Sequence, residues 1–125
     1  MTVTSRTVTE LKDFRDPDEI RPFEKGCLEL VTISSGVVGR LILEPGWRWS
    51  DHVKPLAGTE WCEASHFRYH VSGTLHVKMA DGTELDEGPG QITSLSANHD
   101  AWVVGDEPLG IVDFFGASHY AEGVA

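Results

Sequence analysis

Basic residues are scarce in this chain. Ten lysines and arginines stand against 20 aspartates and glutamates, a formal net charge of −10 over 125 residues. No basic run offsets that balance, so the phosphate contacts that dominate nucleic-acid affinity have no source, and an anionic membrane surface repels the chain. Long apolar stretches are missing too. The longest are far short of the ~20 residues that span a bilayer, and Met1-Thr2-Val3-Thr4-Ser5-Arg6 has no apolar core of the kind that marks a secretory signal. A cytoplasmic location is the expectation. Cysteine is limited to Cys27 and Cys62, too few for a disulfide-stapled scaffold. In a reducing compartment both are expected as free thiols, with a Cys27–Cys62 disulfide as the alternative. Gly88-Pro89-Gly90 lacks the helix and lysine that complete a phosphate-binding loop, and Ser35, Ser50 and Ser72 sit in no nucleophile elbow. Serine-triad hydrolysis is thereby disfavoured.

What remains has an ordinary globular composition, 40% apolar and 24% charged with 13 glycines. That is enough for one domain with its own core. Residues 1–26 read as a polar lead-in, with a helical turn expected near Asp16 or Pro17. From residue 27 to 118 the pattern is short β runs between turn signals, and 119–125 form a tail. The expected strands are Cys27–Ile33, Val37–Leu43, Trp47–Val53, Cys62–Val71, Leu75–Met79, Gln91–Leu95, Ala101–Val104 and Gly110–Phe114. Leu75, Val77 and Met79 alternate strictly with His76 and Lys78, and Asp81-Gly82 then predicts a type I′ hairpin turn. Pro45-Gly46 and Pro89-Gly90 are further turns. About eight strands without a long helix predict an all-β barrel or jelly roll.

Within that pattern His52, Cys62, His66, His70 and His99 crowd between residues 46 and 99. Imidazole and thiolate are natural ligands of a borderline transition metal. Period-two alternation puts His66, Arg68 and His70 on one strand face, with Phe67, Tyr69 and Val71 opposite. It puts His52 and Lys54 on one face of the expected strand over 47–53. Each candidate has a plainer reading: a surface strand for His52 and a backbone-bonded turn for His99. Cys62 could be a buried thiol, and His70 core or pocket lining. His76 and His119 read as surface, and Cys27 as core. Trp47, Trp49, Trp61 and Trp102 read as core or interface packing.

The stretch from Gly46 to Asp106 resembles the barrel of the cupin superfamily. Gly46 is followed after five residues by His52, as in that family's first motif. Lys54 takes the place of its second histidine, and His66 takes that of its glutamate. The second motif is met loosely, with Gly90 in place and His99 two residues early. The Trp47–Pro55 stretch, the Cys62/His66 pair and His99–Pro108 resemble a subgroup of small bacterial cupins. The resemblance implies a double-stranded β-helix with an internal site for a divalent transition metal, held by His52, His66 and His99 with Cys62 as a fourth ligand. Sulfur beside imidazole favours zinc over iron, nickel or copper. Lys54 and Arg68 would orient a small polar or anionic ligand, His70 would line its pocket, and Tyr69 or Asp100 would move protons. Lys54 could instead pair with Asp51 or Glu60. Dioxygenase, isomerase, cyclase or lyase chemistry would fit such a site. So would a non-catalytic binding module, or a metal-free barrel. A homodimer through an edge strand or the outer sheet face is expected.

Overall fold

The computed structural model describes residues 9–115. They form nine strands and two single-turn helices: β1 Glu19–Phe23, β2 Gly26–Ile33, β3 Gly36–Leu43, α1 Trp49–His52, α2 Lys54–Ala57, β4 His66–Ser72, β5 Thr74–Met79, β6 Glu84–Glu87, β7 Ile92–Leu95, β8 His99–Val104 and β9 Leu109–Phe115. Every pairing is antiparallel, in a six-stranded sheet ordered β1-β2-β3-β9-β4-β7 and a three-stranded sheet ordered β6-β5-β8. Leu28, Leu30, Leu41, Leu43, Leu109 and Ile111 from the first sheet share one core with Leu75, Val77, Ala101 and Val103 from the second. The architecture is the all-β jelly roll.

Several local expectations need correction. The lead-in supplies a strand of its own, β1, and its turn falls before Pro17. It is tied to β2, because the Thr32 N–H donates to Asp18 and the Ser34 N–H to Glu10. The type I′ conformation lies at Ser34–Ser35, with φ of 49° and 59° between the paired Ile33 and Gly36. At Asp81-Gly82 only Gly82 has positive φ. The Gly82 N–H donates to Met79 O and the Met79 N–H to Thr83 O, the pattern of a type I turn closed by a glycine bulge.

The largest correction concerns 47–53, which is not a strand. Trp47, Trp49 and Val53 are all buried, but Trp49 and Val53 bury their side chains four residues apart, on one face of the helical turn. Asp100 Oδ1 accepts the Ser50 N–H at the start of α1, and the Trp47 carbonyl accepts the Val103 N–H. These contacts fasten the helical turn to β8. Gly73, φ +76°, carries the chain from β4 in one sheet to β5 in the other. A Cβ there would stand 2.9 Å from the backbone of Pro108 and Leu109, so the crossing needs glycine.

Candidate metal centre

β4 alternates as its sequence implies, with His66, Arg68 and His70 inward and Phe67, Tyr69 and Val71 outward. β8 runs two residues further back than expected, so His99 is an in-strand residue opposite Met79, and its side chain points inward. An isolated bridge couples Cys62 to His99: the Cys62 N–H donates to His99 O at 2.9 Å, and the Asn98 N–H donates to Cys62 O at 2.7 Å. These elements bring one ligand atom each from Cys62, His66 and His99 within 4.8 Å of one another, all three buried. Cys62 is a free thiol, as is Cys27, which is half-buried.

Both imidazoles are oriented by what they bond. His99 Nδ1 donates to Ser96 O at 2.9 Å, and His66 Nδ1 donates to Asp113 Oδ2 at 2.5 Å. In that tautomer the lone pair of each ring resides on Nε2. Burial lowers the pKa of His66, and lowers that of His99 to about 4 with His66 contributing. Both rings are neutral near pH 7, the form that binds metal. Burial also pushes the Cys62 thiol up to about 11.

A second buried layer adjoins the trio. Arg68 Nη2 donates to Glu87 Oε1 at 3.0 Å, and His70 Nε2 lies 3.3 Å from the same oxygen and 2.9 Å from Thr93 Oγ1. Arg68, His70 and Glu87 are each at most 3% exposed. Asp113 and Glu87 escape a motif-based reading, yet their parity was available. Asp113 follows Leu109 and Ile111 at period two, and Glu87 follows Leu85. Each is an acid in an apolar register.

Four candidates lie elsewhere. His52 ends α1, where its Nδ1 accepts the Arg48 N–H at 3.0 Å and its Nε2 lies 3.9 Å from Glu24. The missing strand is why it does not join the trio. Lys54 opens α2 and faces Glu60 at 3.6 Å, on an open surface crevice with Ser50, Pro55 and Thr59. Tyr69 points outward and is 42% exposed. Asp100 has the opposite parity to His99 and is engaged with Ser50, with its own neighbour Ala101 and, at 3.5 Å, with Arg48. Neither Tyr69 nor Asp100 reaches into the trio's pocket. His76 lies on the outer face of β5, its nitrogens 2.7 Å from Glu84 and Asp86, which raise its pKa. His119 and the tail lie outside the described residues. Among the described residues no helix is long and apolar enough to cross a membrane.

No family model matches the sequence, and no curated protein matches it either. Solved structures do resemble the fold. The polyketide cyclase RemF from Streptomyces resistomycificus superposes with a TM-score of 0.58 at 13% identity, covering 85% of this chain and 78% of that one. A protein of unknown function from Rhizobium leguminosarum bv. viciae gives 0.57 at 16% identity over 86% and 98%. A cupin-like protein from Thermotoga maritima gives 0.55 at 14% identity over 83% and 77%. At these identities the likeness carries the fold, which is cupin-like.

Proposed function

We propose that this chain is a metal-binding protein of cupin-like fold in which Cys62, His66 and His99 hold a divalent transition ion. The observation that carries this reading is the buried trio itself, three donor atoms within 4.8 Å in the interior of the jelly roll. A small side-chain adjustment brings them onto one ion at the ~2.0–2.3 Å usual for nitrogen and sulfur ligands. Formal charge supports the fit. Among the buried residues Arg68 is outweighed by Glu87 and Asp113, leaving one net negative charge. A divalent ion together with ionised Cys62 brings the set to neutrality, which a low-dielectric interior favours.

Zinc suits two imidazoles and a thiolate with one position left open, ahead of iron, nickel and copper. When bound, the ion supplies a Lewis-acid position inside the barrel. Around it, Asp113 holds the His66 ring, Ser96 O holds the His99 ring, and Arg68 adds a fixed positive charge to the same pocket. The Trp47–Pro55 and His99–Pro108 stretches, which resemble small bacterial cupins, belong to this reading: the first contains α1 and the second supplies His99. A second reading rests on the donor composition, since one cysteine with two histidines is also the trigonal set of copper electron-transfer sites.

Elemental mass spectrometry tests the proposal on protein as purified and after reloading with zinc, iron, nickel and copper. One ion per chain is expected for the unaltered protein and for His52→Ala, with loss in His66→Ala and His99→Ala. An intense thiolate-to-copper charge-transfer band that vanishes in Cys62→Ser would favour the copper reading. Absence of stoichiometric metal under all four conditions would sink both.

A further inference from the structure

The cavity shared by Cys62, His66 and His99 is smaller than any organic substrate. Leu41, Leu43, Trp47, Trp49, Leu75 and Ala101 close it to about 10 Å³, room for about one water molecule. Each of these walls is at most 5% exposed and belongs to the main core. Such a wall does not swing aside without unpacking the interior. Two of the residues lining this space carry a buried donor without an acceptor. Arg68 is 3% exposed and commits Nη2 to Glu87, while its Nε–H has no partner; the Trp47 indole N–H, 2% exposed, has none either. Burying two unsatisfied N–H groups beside a small void is costly unless something there accepts from them.

The geometry points to a small buried subsite for a ligand the size of water or hydroxide, coordinated at the ion's open position and received by the N–H groups of Arg68 and Trp47. Water or hydroxide has that size and a hydrogen-bond-accepting end, and cyanide, which enters end-on, is the slimmest exogenous probe of the position; a carboxylic acid or sugar does not fit. The inference rests on the metal reading and narrows its ligand class. The Lys54 crevice, which shares no lining residue with this cavity, is then separate from the ion.

The test uses the full chain loaded with cobalt(II), whose visible spectrum reports coordination, with cyanide and imidazole as probes. Cyanide is expected to shift the spectrum saturably, and imidazole to leave it unchanged at tenfold higher concentration. Arg68→Lys keeps the charge but removes Nε–H, and Trp47→Phe removes the indole donor; at least one is expected to weaken cyanide binding about tenfold, the scale of a hydrogen bond to a charged group. A spectral shift by imidazole at cyanide-like concentration overturns the inference, and so does extraction of cobalt by cyanide without a bound form. Undiminished cyanide affinity in both variants overturns it as well. Failure to take up cobalt at one per chain would instead remove the metal reading beneath it.

A different observation carries a second inference. The outer face of β4, β7 and β9 presents Phe67, Tyr69, Val71, Ile92 and Phe114, each 42–68% exposed, with Val112, Ser94 and Gly110 between them and no charged residue. Phe67 and Phe114 rings lie 6.3 Å apart, and Tyr69 pairs with both Ile92 and Val112. Three half-exposed aromatics offer roughly 300 Å² and the two aliphatics bring the patch to roughly 500 Å². Two copies apposed would cover about 1,000 Å², the lower bound of a specific interface. The occupant we infer is a second copy of this chain: an uncharged face lets two molecules of net charge −10 meet without like charges opposed. Light scattering at tens of micromolar is expected to give twice the 13.7 kDa chain mass, falling to the monomer in Tyr69→Arg and Phe114→Arg but not in Val104→Lys, which lies on the other sheet. A monomeric unaltered protein, or a dimer indifferent to both arginines, would overturn it.

Discussion

Inside the jelly roll, His66 Nδ1 and Asp113 Oδ2 are 2.5 Å apart, both residues at most 5% exposed. Beside the contact the pairing of β4 with β9 shifts register, between Phe67 and Arg68. A carboxylate behind a ligating histidine fixes its ring and raises its basicity, and losing such a partner weakens metal binding 10–100-fold. Asp113→Asn is therefore expected to lower zinc affinity by about that factor while leaving the fold intact, as competition with a chromophoric chelator and circular dichroism would register. Unchanged affinity would leave Asp113 with a packing role alone.

The face of β4 was legible because alternation is local: His66, Arg68 and His70 needed only period two. Cys62 and His99 meet across a bridge that no short-range pattern announces, so it is the cupin resemblance, and not alternation, that sets them beside His66 in one site. The helical turn over 49–52 falls within the expected strand over 47–53; Trp47 and Trp49 are both buried, one in the approach to α1 and one on it, so their spacing does not separate the two conformations. Motif counting then promoted His52, whose spacing from Gly46 fits the family pattern while its backbone does not. The acidic partners of Arg68 and His66 escape a sequence reading because an acid in an apolar register contributes one residue to a short strand; its meaning appears only when the opposite sheet supplies Arg68 to Glu87 and the neighbouring strand supplies His66 to Asp113.

Metal uptake should release one proton per ion. Cys62, raised by burial to about 11, is a thiol in the absence of metal, whereas His99, lowered to about 4, is already neutral at working pH. Between pH 6.5 and 8.5 the apparent affinity is expected to rise about tenfold per unit. In Cys62→Ala, with no thiol to ionise, that slope should flatten to near zero over residual binding. Calorimetry in buffers of different ionisation enthalpy counts the protons directly; a count of zero in the unaltered protein would exclude Cys62 as a thiolate ligand.

The metal-free protein should lose stability in mild acid. An unfolded histidine titrates near 6.5 while folded His99 titrates at about 4, so between those values the unfolded chain holds a proton that the folded chain does not. Stability from this group is fully present above 6.5 and falls as the pH drops toward 4, by on the order of 3 kcal/mol. His66 is shifted the same way by burial and deepens the loss. His76 acts in reverse: Glu84 and Asp86 raise its pKa, so its contribution is present below 6.5 and fades as the pH rises through the raised value. As an exposed pairing it contributes little. Urea denaturation at pH 7.5, 6 and 5 checks the direction, and His99→Gln should flatten the curve. A midpoint that climbs on acidification would contradict the buried, neutral assignment.

Glu87 tests whether the inner ion pair holds the barrel together or only fixes its arrangement. Its Oε1 accepts from Arg68 and lies 3.3 Å from His70 Nε2, and its other oxygen, Oε2, has no partner. Breaking a buried pair from one side strands the remaining charge and typically costs 3–5 kcal/mol, whereas replacing both partners by apolar groups of similar volume is often neutral. Glu87→Leu alone is expected to cost about 4 kcal/mol in chemical denaturation. Arg68→Met combined with Glu87→Leu should recover most of it while lowering cyanide affinity in the cobalt form. Recovery of stability together with loss of the small-ligand response would separate the two roles of Arg68, because a guanidinium kept only for packing would leave that response unchanged. An additive double mutant would instead mean that Arg68 and Glu87 contribute independently despite their 3.0 Å contact.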